Sequence, residues 1–109
     1  MIAGAFSDTI TRGVDYFLGL RLQDDNRGPF LDLSEWTFTA VLTSSAGAQL
    51  ATLSADLVTP INDCIRFSLD TTQTSALAAQ TGAHLAISGI RPDGVKLPLV
   101  SARITITNL

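Results

Sequence analysis

Apolar and polar residues alternate with a period of two along most of this chain, and that period belongs to β-strands. From Tyr16 to Gln23 the parity is clean. Tyr16, Leu18, Leu20 and Leu22 share one face, with Arg21 and Gln23 on the other, as in a strand with one wet side. Asp24-Asp25-Asn26-Arg27-Gly28-Pro29 breaks the run with turn-forming residues, and Phe30, Leu31 and Leu33 lead into the next element. Trp36 to Thr43 sends Trp36, Phe38, Ala40 and Leu42 one way and its threonines the other, a composition that suits a pleated surface. After the turn Ser44–Gly47, a strand over Gln49–Leu57 turns Ala51, Leu53, Ala55 and Leu57 inward. Pro60, Asn62 and Asp63 punctuate, and Cys64 to Asp70 follows with Ile65, Phe67 and Leu69 inward.

Residues 72–82 depart from the pattern and predict a helical crossover of one or two turns. Thr71 or Thr72 caps its start, Gly82 ends it, and Leu77 dips into the core. Strand character returns over His84–Ile90. Arg91-Pro92-Asp93-Gly94 reads as a hairpin turn, with proline and glycine supplying the required dihedrals. The last strand spans Val95–Thr107, and its inward parity switches at Pro98-Leu99-Val100, which predicts a bulge or kink. A first short strand covers Phe6 to Arg12 and ends at Gly13. About seven strands with turns at near-regular spacing favour an all-β sandwich, and residues 1–109 read as a single domain.

Composition adds one tension. Hydrophobic residues make up 46% of the 109 residues and charged residues only 16%, against about 25% charged in an average soluble domain. Either serine and threonine supply the missing polarity, or part of the surface is buried against other subunits, where charge is depleted. Net charge is −3, Lys96 is the only lysine and the arginines are scattered, which argues against nucleic acid. No secretory signal, no membrane span and no basic amphipathic helix is visible. The expected location is therefore a cytoplasm until assembly.

Candidate chemistry is thin. His84, the only histidine, lacks a neighbouring nucleophile and reads as an outward strand residue. Cys64, the only cysteine, allows no internal disulfide and reads as a small buried side chain. Asp24, Asp25, Asn26 and Asp32 offer oxygen ligands in a loop, but without EF-hand spacing and with Arg27 among them, so a solvated turn is the preferred reading. Gly82, Gly89 and Gly94 form no phosphate loop, and Gly89 inside a strand marks a bulge or close backbone approach. Trp36 reads as core. The expectation is no catalytic, cofactor-binding or metal-binding residue, and no enzyme.

The stretch ITRGVDYFLGLRLQDDNRGPFLDLSEWTFTAVL, residues 10–42, resembles a pattern of small β-sandwich proteins of tailed bacteriophages. Its parts are the Arg12-Gly13 turn, the alternating strand Tyr16–Gln23, the Asp-rich loop Asp24–Pro29, the step Leu31–Trp36 and a second alternating strand. The later crossover at Ser75–Leu77 with Gly82 and the final Gly94-to-Leu97 step also fit. The nearest likeness is to N-terminal Ig-like domains of baseplate upper proteins and similar tail-associated proteins. The resemblance implies an Ig-like antiparallel β-sandwich in a virion protein that contacts other virion proteins, as a homo-oligomer or symmetric assembly. It implies no cofactor, no membrane and no nucleic acid partner. A tail, baseplate or collar component is the leading expectation. A capsid decoration protein is the alternative, and a carbohydrate- or receptor-binding module is a weaker one. In such proteins this domain is often fused to a longer receptor-binding or fibre region; with nothing after Leu109 here, any attachment role is expected of the domain alone.

Overall fold

A computed structural model describes residues 4–22, 31–58 and 63–109. Its elements run β1 (Gly4–Thr11), β2 (Tyr16–Leu20), β3 (Thr37–Thr43), β4 (Gln49–Leu57), β5 (Ile65–Leu69), α1 (Thr71–Ser75), β6 (Gln80–Ile90) and β7 (Lys96–Thr107). The expected all-β chain of seven strands with one short helix is present. The strands form one sheet in the order β1-β7-β6-β3-β4-β5-β2, curled into a nearly closed barrel.

Two features make the sheet continuous and mixed. β4 pairs with β3 as far as Leu53 and with β5 from Ser54 onward, so it carries the ladder round a corner. Ala55, expected inward, is exposed just past that change of partner. β1 lies parallel to β7, from Gly4 opposite Val100 to Thr11 opposite Thr107, which corrects the all-antiparallel expectation. A hairpin forces neighbouring strands antiparallel. β1 and β7 come from opposite ends of the described chain, so no hairpin sets their direction.

Inward positions of every strand fill the interior. Leu42, Phe67, Leu85, Ile87, Ile104 and Ile106 are at most 2% exposed. The bulge predicted near Pro98 is observed. Ile87 faces Val100 and Ser88 faces Pro98, leaving Leu99 as the extra residue, and Leu99 and Val100 are both buried. Gly89 makes room for it: a Cβ there would stand 2.9 Å from Leu99 Cδ1 and 3.1 Å from the Trp36 ring. Trp36, half-buried, stacks on Phe38 at 5.8 Å between centroids, and Phe38 meets Phe67 edge-on at 6.0 Å. The turn at Arg91–Gly94 also forms as expected, with Gly94 N donating to Arg91 O at 2.9 Å.

The crossover helix has the expected length of one to two turns but ends earlier and is differently capped. Asp70, not Thr71 or Thr72, is the N-cap. Its Oδ1 accepts from Gln73 N at 2.8 Å, while its own N–H donates to Gln73 Oε1 at 2.9 Å, completing a capping box. The helix stops at Ala76 rather than Gly82, because Leu77 drops into the core at 5% exposure. Gly82 instead lies within β6, where the register slips by one residue between Gln80 and Ala83, and its positive φ of 76° serves that bulge.

Candidate interaction surface

The residues with chemical potential lie apart from one another. His84 stands exposed on the outer face of β6, its Nε2 3.4 Å from Ser101 Oγ, with Arg103 opposite on β7. That neighbour is a cation, not the carboxylate that would orient the imidazole as a general base. Cys64 is half-buried rather than buried, and its thiol points to the Ile65 carbonyl at 3.8 Å. Asp32 Oδ1 accepts from Ser34 N at 2.9 Å, and this backbone hydrogen bond holds its carboxyl below the usual range. Asp24, Asp25 and Asn26 lie outside the described residues. Among the described residues no three His, Cys, Asp or Glu side chains gather to hold a metal, and no helix is long and apolar enough to cross a membrane.

The exterior itself is more informative. Ladder registers place Ser7, Arg103, His84 and Thr43 in one row across β1, β7, β6 and β3. Ser101, Ala86, Val41 and Thr52 form the next row across β7, β6, β3 and β4. Thr39 faces Ser88 and Thr9 faces Thr105 nearby. Hydroxyls therefore supply the polarity of this face, with few charges.

The outer side of β2, β5 and β4 differs. Phe17 is 56% exposed, and the Arg66 guanidinium lies 5.2 Å from its ring centroid. Such a cation–π contact at an exposed site contributes about 0.5–1 kcal/mol. A depression of about 120 Å³ beside Phe17 is lined by Asp15, Ser68, Leu69 and Asp70. Others of about 240 Å³ and 220 Å³ lie by Asp56 and Arg66 and by Asp32 and Pro92. All three fall below the roughly 300–1,000 Å³ of ordinary small-molecule sites. Sequence reading passed over Phe17, although a large aromatic on the wet parity of a strand was a visible signal.

β1 and β2, the two ends of the sheet, are linked by side chains. Tyr16 OH donates to Asp8 Oδ2 at 2.8 Å. Burial first, then the hydrogen bond and charge of Asp8, push the phenol well above its ordinary value. The folded state thus favours the neutral phenol. Its contribution to stability is complete below the unfolded value of about 10 and is lost as pH rises beyond it. Tyr16 is the only tyrosine, so phenolate absorbance reports it alone. Alkaline titration is expected to show ionisation displaced above pH ~10 and coincident with loss of tertiary structure. Ordinary titration in an intact fold would contradict the seam. No protein-family model matches this chain, and no curated protein matches its sequence.

Proposed function

We propose that this chain is a non-catalytic structural component of a tailed bacteriophage particle, at the tail, baseplate or collar, and that it works through protein–protein contacts. The observation that carries the reading is the division between inside and outside. The interior is filled by large apolar side chains. The exterior offers a charge-poor hydroxyl face and two sheet edges. The resemblance of residues 10–42 to tail-associated proteins supplies the particle.

The finer fold reading, an immunoglobulin-like sandwich, belongs to the same proposal. Strand grouping supports it. In that fold the third, sixth and seventh strands adjoin, as do the second, fifth and fourth. Here β3, β6 and β7 adjoin, and so do β2, β5 and β4. β1 departs from the pattern by joining β7.

Mass spectrometry of purified particles tests the assignment. The chain is expected at many copies per particle, since symmetry multiplies a weak contact. Its absence from particles would overturn the proposal, and its recovery with isolated heads would favour the capsid-decoration alternative over the tail.

A further inference from the structure

The two edges of the sheet are unequal. On β1, Asp8 shares the parity of buried Ile10 and turns toward Tyr16. An inward-facing charge on an edge strand discourages pairing. β2 carries no charge between Tyr16 and Leu20; its charges flank it, Asp15 before and Arg21 after. Leu18 and Leu20 have the inward parity yet are only half-buried, while Phe17 on the opposite face is the most exposed aromatic among the described residues. No described strand pairs with this side of β2.

We propose that two copies of this chain pair through β2, antiparallel, about a twofold axis at Leu18. The sequence around that axis is complementary to itself. Leu18 meets Leu18, Tyr16 meets Leu20, Phe17 meets Gly19, and Asp15 meets Arg21 of the second copy, each unlike pair occurring twice. Gly19 is exposed and has no side chain, so the Phe17 ring covers its backbone, a known way of stabilising an edge glycine. Arg66 steadies that ring from β5. Arg21, which also lies 3.5 Å from Asp63, flanks the strand at that end. Shifting the register by two residues either way sets Asp15 opposite something other than Arg21. A one-residue shift would oppose inward to outward side chains. The contact is isologous, and it adds a strand to each sheet edge.

The inference rests on the reading that this chain works through protein contacts, and it names one of them. Sedimentation equilibrium of the full chain is expected to show a dimer. Asp15→Arg sets like charges opposite one another twice and raises the dissociation constant about tenfold. Arg21→Asp does the same. The combined D15R/R21D chain returns to within about threefold of the parent, which a merely structural loss of the Asp63 contact would not allow. Independently, Leu18→Cys on a Cys64→Ser background is expected to form an intermolecular disulfide, because the axis brings the two copies of that position within bonding reach. A parent that stays monomeric overturns the inference. So does a dimer that ignores Asp15→Arg and gives no disulfide in the Leu18→Cys variant; that result would leave assembly through another surface standing.

Discussion

Phe67→Ala is expected to remove about 3–5 kcal/mol of stability, the usual cost of emptying a buried aromatic site. Phe67 is fully buried on β5, opposite Leu18 of β2 and Ala55 of β4, and it takes the edge of the Phe38 ring from β3. It therefore touches both halves of the curled sheet near the corner that β4 makes. Alanine would leave a void that three strands cannot close without losing their ladders. A domain of this size holds only about 5–15 kcal/mol in total, so the variant would sit close to its unfolding midpoint. Urea denaturation checks this. The midpoint should fall sharply with the slope unchanged, and a loss below about 1 kcal/mol would mean that the ring is not central to the core.

Thr74→Val has the second-largest expected effect, about 2–4 kcal/mol, and for a different reason. Thr74 is the only polar residue buried among the described residues. Its hydroxyl donates to Val14 O at 3.0 Å and accepts from Gly13 N at 3.1 Å, so it ties α1 to the turn between β1 and β2. Arg12 Nη2 adds a bond to Ser75 O at 3.1 Å beside it. Valine preserves the shape but leaves a backbone donor and a backbone acceptor unpartnered, which costs more than the bonds themselves contributed. Thr74→Ser keeps the hydroxyl and loses one methyl, so it should cost only about 1 kcal/mol. Denaturant midpoints for the two variants make the comparison. Equal losses would show that packing, not hydrogen bonding, fixes the helix.

Alternation made most strands and their inward faces readable from residues alone, because period-two burial follows directly from pleating. The bulge at Leu99 was readable too, since a parity switch needs an extra residue and the neighbouring proline already interrupts the ladder. Pairing partners were not readable. Alternation says which side of a strand is wet, but not which strand lies beside it, so the parallel alignment of β1 with β7 and the edge position of β2 required the structure. The Asp70 cap was missed because threonine also caps helices and two threonines followed it. Thr74 was missed because a buried hydroxyl in a short polar helix looks like a solvated one until its partners, 60 and 61 residues away in sequence, are known. Of the interaction surface, the sequence displayed Asp15, Phe17, Gly19 and Arg21 in plain order. Their meaning as one unit depends on β2 being an edge.

On the proposed function, the outside of this chain, and above all its sheet edges, works through contact with other proteins. Carboxylate-directed cross-linking of intact phage particles, followed by peptide mapping, would read out those contacts, since the chain has ten acidic residues against a single lysine. Cross-links are expected from the flanks of the sheet, Asp15 among them, to a second copy or to another particle protein. Particles that contain no such chain, or that hold it without any intermolecular link, would contradict it.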